Sequence, residues 1–231
     1  MAMVTPTPEL PLSKADYRHV YEPAEDTFAL LDALDGDADR LRSLNGGAGM
    51  LCVEIGSGSG CVSAFLAALL GATNAAFLTL DVNDKANVAT GRTGTANGVH
   101  LSPIRSDMLS ALFSRCSSRS ETATSALIDI LLFNPPYVPT TEAEEAAAQA
   151  DQAIAGAWAG GSMGTRLVDQ LIEQGIETVL APRGIFYLVA IRGNDPPALI
   201  RRLEARGLSA QIALQRRAGG EHLFIIRAQR K

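Results

Sequence analysis

Met50-Leu51-Cys52-Val53-Glu54-Ile55 runs into Gly56-Ser57-Gly58-Ser59-Gly60, and an apolar stretch resumes over Cys61–Leu70. This reads as a buried strand that turns into a helix through three glycines. Backbone comes close to a ligand at such a turn, because any side chain would obstruct the approach. The dinucleotide fingerprint G-x-G-x-x-G/A would place its last position at Cys61, whereas the third glycine here falls one residue early. The acid two residues before Gly56, Glu54, favours a cation over a pyrophosphate. S-adenosylmethionine, with its sulfonium and ammonium groups, is such a ligand, and charge complementarity assigns Glu54 to its methionyl end.

Downstream, short apolar runs alternate with amphipathic stretches, which implies βαβ units and a mainly parallel sheet. Strands are expected at 50–55, 76–80, 100–105, 127–133 and 185–191, and helices at 61–70, 84–97, 163–180 and 197–206. Leu208, Ala210, Ile212 and Leu214 alternate, turn at Gly219-Gly220 and continue as Leu223 to Ile226, an antiparallel pair. Residues 22–34 and 37–44 read as helices packed on the sheet, and 115–125, rich in Ser, Thr and Arg, as a loop. The predicted fold class is α/β: a mainly parallel seven-stranded sheet with a C-terminal antiparallel hairpin and helices on both faces. One domain, 20–231, follows a flexible segment, 1–19.

Two more acids stand at successive strand ends. Asp81, 25 residues past Gly56, can accept hydrogen bonds from both hydroxyls of a ribose. Asp107 can accept from an adenine amino group, with Met108 as an apolar contact to the base. A plain structural reading makes both acids helix caps; the glycine loop together with both acids favours cofactor binding.

Asn134-Pro135-Pro136-Tyr137 then stops the buried strand 127–133. Two prolines restrict φ and remove two backbone donors, so carbonyl groups face outward as free acceptors. The Asn134 side-chain oxygen and the Pro135 carbonyl can together accept both hydrogens of one planar NH2 group. An amide nitrogen is a poor nucleophile, and no ordinary side chain removes its proton before attack, so positioning and electrostatics must carry the reaction. Tyr137 offers a ring face to a flat substrate group. The bland alternative is a rigid proline turn with Asn134 bonded to its own backbone.

Composition narrows the classes. The 231 residues are 47% hydrophobic and 19% charged, which suits a packed globule rather than a disordered chain. No basic-then-apolar leader opens the chain and no apolar run is long enough to span a bilayer, so neither secretion nor membrane insertion is expected. Cys52, Cys61 and Cys116 match no zinc spacing and the histidines are scattered, so a reduced, cytosolic, metal-free protein is expected. The net charge of −5 conceals 9 basic against 3 acidic residues from Arg192 onward. That excess is either an RNA contact or solvated faces carrying dispersed arginines, and the dispersal favours the second.

With these residues in view, the sequence resembles the HemK-type protein glutamine N5-methyltransferases, class I S-adenosylmethionine enzymes with a Rossmann-like fold and an Asn-Pro-Pro-Tyr motif. Val20-Tyr21-Glu22-Pro23-Ala24-Glu25-Asp26-Thr27-Phe28, Ala157-Trp158-Ala159-Gly160-Gly161 and Phe186-Tyr187-Leu188-Val189 look like the eukaryotic and archaeal branch. The resemblance implies methylation of the glutamine in the Gly-Gly-Gln motif of class I translation release factors, with histone lysine as a further protein substrate. It implies that Thr27, Glu54, Gly56, Asp81, Asp107, Met108 and Asn134 line the cofactor site, with Gly58 and Gly60 in the same loop. Asn134, Pro135, Pro136 and Tyr137 would bind the glutamine. Pro23 and the acids beside Thr27 otherwise read as a helix start, and Trp158 with its glycines as a packed aromatic at a turn.

Bacterial relatives carry an N-terminal helical domain that this chain lacks room for. The resemblance implies a partner instead: a small zinc-binding activator, the Trm-type methyltransferase subunit, adding a strand beside the sheet. The edge expected to receive it is 100–105. The implied compartment is the cytoplasm, with a nuclear pool admitted. Two alternatives share the motifs. A DNA adenine-N6 methyltransferase also targets a planar NH2, but the chain shows no target-recognition domain, has a pI near 5.2, and places Glu142, Glu144 and Glu145 where they would repel phosphates. Direct nucleic-acid binding is therefore not expected. A non-catalytic binding module would have lost the glycines or Asn134, and both are intact.

Overall fold

Strands with apolar side chains on both faces can be covered only by helices above and below, and the centre of this sheet is of that kind. The computed structural model describes residues 5–47, 49–110, 112, 127–137 and 164–231. β1 (Met50–Ile55) pairs with β4 (Ile128–Phe133), and β2 (Ala75–Asp81) and β3 (Leu101–Arg105) continue the sheet on one flank. β5 (Leu180–Ile191), β7 (Glu221–Arg230) and β6 (Leu208–Ala218) continue it on the other. The order is β3-β2-β1-β4-β5-β7-β6, with β7 alone running against the rest. This is the sheet the sequence predicts, hairpin included.

Alternation along each strand sends side chains to two separate cores. On one face Cys52, Ile130, Leu132 and Tyr187 meet α1 (Glu25–Gly36), α2 (Ala38–Arg42) and α3 (Cys61–Leu70) through Leu30, Leu34, Leu41 and Leu66. On the other, Val53, Leu131, Phe133 and Phe186 meet α5 (Arg166–Glu173), α6 (Ile176–Val179) and α7 (Pro196–Ala205) through Leu171, Ile176 and Leu203. α4 (Asp84–Ala96) packs along β2 and β3. Pro103 has no N–H for a ladder and is accommodated because β3 is the outermost strand.

Several expected boundaries shift for physical reasons. The helix expected over 163–180 is two pieces, because Gly175 takes φ 88° between α5 and α6. Pro182-Arg183-Gly184 does not precede β5; it bulges within it, so that Ile128 pairs with Leu180 and Ile130 with Ile185. A second irregularity between Ile212 and Leu214 interrupts the β6 alternation and leaves Ile212 exposed. The N-terminal stretch expected to be flexible is tied down along residues 5–19. Thr5 N–H donates to Asp35, Glu9 and Asn97 exchange two hydrogen bonds, and Arg92 of α4 holds Asp16 and the Pro11 carbonyl. The expected loop 115–125, the acidic stretch 142–150, Cys116, Trp158, Gly160 and Gly161 lie outside the described residues.

Candidate active site

Strand order reverses between β1 and β4, and open α/β sheets bind ligands in the crevice outside such a switch point. Ile55 pairs with Phe133, which sets Gly56 beside Asn134 at the carboxyl end of the sheet. A cavity of about 580 Å³ opens there. Glu54, Gly56 and Gly58 line it from β1 and its loop, Asp81 from β2, and Asp107 and Met108 from the segment after β3. Asn134, Pro135, Pro136 and Tyr137 close one side, while Thr27 on α1 and the stretch from His19 to Tyr21 close another.

The three glycines of the loop all have positive φ, from 54° to 77°. Gly60, grouped with the ligand loop on sequence, is not a lining residue. A Cβ on Gly60 would stand 2.9 Å from the Thr90 Cα, so its bareness lets α4 close onto the loop. Buried threonines of α4 then fasten the loop: Thr93 donates to the Ser59 carbonyl at 2.7 Å, and Thr90 to the Gly58 carbonyl at 3.2 Å.

Burial acts on two carboxyl groups of the cavity. Glu54 is fully buried, which pushes its carboxyl up to about 8; the hydrogen bonds from the Ser63 hydroxyl and N–H oppose this, and Asp81 adds to it. Burial also raises Asp81, against N–H donors from Asn83 at 2.9 Å and Gly58 at 3.0 Å, one on each oxygen. Each Asp81 oxygen keeps acceptor capacity for a ligand hydroxyl. Cys61, beside Glu54, is pushed up to about 12 by burial and by that carboxylate, so its thiol is inert.

The turn after β4 contains the site's distinctive atom. Asn134 Oδ1 is buried and has no hydrogen-bond partner among the described residues. Its amide NH2 donates to Asp26 Oδ2 at 3.0 Å, and the Tyr137 hydroxyl donates to the same oxygen at 2.9 Å. Tyr137, expected to offer its ring to a substrate, thus has its hydroxyl engaged and its ring packed in the core, 8% exposed. The Tyr137 carbonyl accepts from Asn194 Nδ2 at 3.1 Å, and Gly164 packs against it so closely that a Cβ would overlap that oxygen.

Asp26 is the residue that sequence reading missed. Two acids in the first turn of α1 were expected for helix-dipole reasons, yet Asp26 is 3% exposed and collects donors from three directions. Its partners lie 108 and 111 residues away in the chain, and no local pattern signals that. The acid-rich wall of Asp26, Glu54, Asp81 and Asp107 suits a cationic ligand, and the orphaned Asn134 oxygen suits an NH2 group. S-adenosylmethionine together with an amide-bearing substrate meets both requirements.

No family model matches the chain. Individual relatives do. It is 38% identical to mouse "Methyltransferase HEMK2" over 229 residues, 97% of this chain and 98% of that protein. It is also 38% identical to the "eRF1 methyltransferase catalytic subunit mtq2" of Schizosaccharomyces pombe over 216 residues, 93% and 91% of the two chains. Among solved structures, the E. cuniculi Mtq2–Trm112 complex, responsible for methylation of the eRF1 translation termination factor, superposes with a TM-score of 0.62 at 25% identity. That match covers 92% of this chain and 99% of the other. The seven-stranded sheet, the glycine loop with its acids and the Asn-Pro-Pro-Tyr turn therefore belong to a S-adenosylmethionine-dependent enzyme, and the chain is a member of the HemK-type protein glutamine methyltransferase family.

Proposed function

We propose that this chain methylates the side-chain amide nitrogen of the Gly-Gly-Gln glutamine in a class I translation release factor. It does so paired with a small zinc-binding activator of the Trm112 type. The observation that carries this reading is the buried, unpartnered Asn134 oxygen at the cavity wall. A buried acceptor left unpaired costs about 1–3 kcal/mol, so a donor is expected to complete it. An amide NH2 is such a donor, and the relatives named for eRF1 methylation supply the protein that bears it.

S-adenosylmethionine supplies a methyl carbon made electrophilic by its sulfonium. Of the residues lining the cavity, Glu54 would hold the ammonium, Asp81 the ribose hydroxyls, and Asp107 with Met108 the adenine, while Thr27 would complete the wall. Asn134 Oδ1 and the Pro135 carbonyl each accept one N–H of the glutamine amide. They would draw electron density onto its nitrogen and fix the line of attack; the nitrogen would take the methyl as the carbon–sulfur bond breaks, leaving a neutral thioether, and shed one proton to solvent. The partner docks on β3, the outermost strand, beside exposed Ile104, Val82 and Val88. At the opposite edge, Arg216 of β6 pairs with Asp32 of α1. A release-factor substrate is the reason for proposing a cytoplasmic enzyme, with a nuclear pool admitted.

The test incubates the purified pair with labelled cofactor and three acceptors: release factor, release factor with that glutamine replaced, and duplex DNA. Label is expected on the first alone. Asn134→Ala should lower kcat by at least about 100-fold and leave cofactor affinity within about tenfold, since the lost contact is to the substrate NH2. Label on DNA alone would overturn the reading.

A further inference from the structure

We propose that Asp26 is a positioning residue: it holds the Asn134 amide so that the oxygen, and not the NH2, faces the substrate. This rests on the reading of Asn134 as the acceptor for a substrate amide. A primary amide is nearly the same shape when turned by half a revolution, so packing alone does not choose between its two orientations. The choice must come from a neighbour that tolerates only one of them. An ionised carboxylate accepts and never donates, and Asp26 sits where that matters.

Every described hydrogen bond to Asp26 comes from a donor. Oδ2 receives Asn134 Nδ2 at 3.0 Å and the Tyr137 hydroxyl at 2.9 Å. Oδ1 receives the Thr27 N–H at 2.7 Å, the Tyr21 hydroxyl at 3.1 Å and the Thr27 hydroxyl at 3.3 Å. Burial and the Asp26 charge both raise the two tyrosines, which keeps their hydroxyls protonated and donating. Turning the amide would bring two acceptor oxygens to the separation Asn134 Nδ2 now keeps from Asp26. It would also point two N–H donors at a substrate NH2. The first loses a charge-assisted hydrogen bond, and the second abolishes the contact on which the reaction depends.

Asp26→Asn is the discriminating variant. Thr27 N–H requires an oxygen on its side, so the new NH2 faces Asn134, and Asn134 turns its own oxygen toward it. The expected result is a kcat lowered at least about 100-fold with cofactor Kd within about threefold, and no further loss when Asn134→Ala is added. A kcat within about threefold of wild type, or losses that multiply in the double variant, would overturn the proposal. A second measurement needs no folded variant. In wild-type enzyme labelled with 15N-asparagine, the Asn134 NH2 protons should exchange with water far more slowly than those of exposed asparagines. Exchange as fast as theirs counts against the proposal. A slow Asn134 signal in an enzyme that leaves release factor unmethylated would fault the substrate assignment and leave the positioning role standing.

Discussion

Cofactor affinity should rise with pH, and Glu54 should be the cause. In the ligand-free protein burial holds this carboxyl at about 8, against an ordinary 4.5. At about pH 7 roughly nine in ten molecules therefore carry it neutral. An ammonium group placed against it favours the carboxylate, so binding must expel a proton. If the bound carboxyl titrates well below the assay range, the apparent Kd weakens roughly 25-fold from about pH 8.5 to about pH 6.5, or about 2 kcal/mol. Any titration of the ligand's own amine is common to wild type and Glu54→Gln and cancels in their ratio. Calorimetry in two buffers of different ionisation enthalpy should count close to one more proton released by wild type than by the variant at about pH 7. Equal proton counts and parallel pH profiles would refute the argument. The same shift bears on folding. The native state binds the extra proton between about 4.5 and about 8, so this group lowers stability as pH rises through that window, by up to about 1.4 kcal/mol per unit. Glu54→Gln should accordingly flatten the pH dependence of the unfolding midpoint there.

Three further outcomes follow from contacts elsewhere. Gly164→Ala forces a side chain into φ 68°, over the Tyr137 carbonyl and 2.8 Å from Asn194 Nδ2; denaturant unfolding should show a loss of at least about 2 kcal/mol, and kcat should fall more than cofactor affinity. Arg227→Met strips the closest cation from Asp37, which also accepts from the Tyr187 hydroxyl at 2.7 Å; thermal unfolding should report a loss of about 3 kcal/mol, partly restored by adding Asp37→Asn. Ile104→Glu places a charge on the outer strand and should weaken capture of the activator subunit at least about tenfold in a surface binding assay, with cofactor affinity of the isolated chain unchanged.

Much of the architecture was legible because its causes are local. β1 and its glycine loop declare themselves by an apolar run and three residues without side chains, and β4 by an apolar run ended by two prolines. That this turn would present acceptors could be anticipated because prolines cannot donate. What escaped reading depends on residues distant in the chain. Asp26 looks like a dipole-favoured residue in the first turn of α1 until Tyr137 and Asn134 are brought to it. Gly60 looks like a ligand glycine until α4 is seen resting on it. Apolar spacing continues through Gly175, yet left-handed backbone there divides the helix. Residues 5–19 were expected to be flexible, but the stretch is held by Asp35, Arg92 and Asn97, whose positions only the fold supplies.

The pairing of Ile55 with Phe133 works as a ruler. β1 and β4 finish flush, so the cationic half of the reaction and its acceptor are brought level by the lengths of two strands, not by any contact between their side chains. A slip of two residues would keep every apolar side chain on its own face and yet carry Asn134 about 7 Å along the sheet, beyond the reach of one methyl transfer.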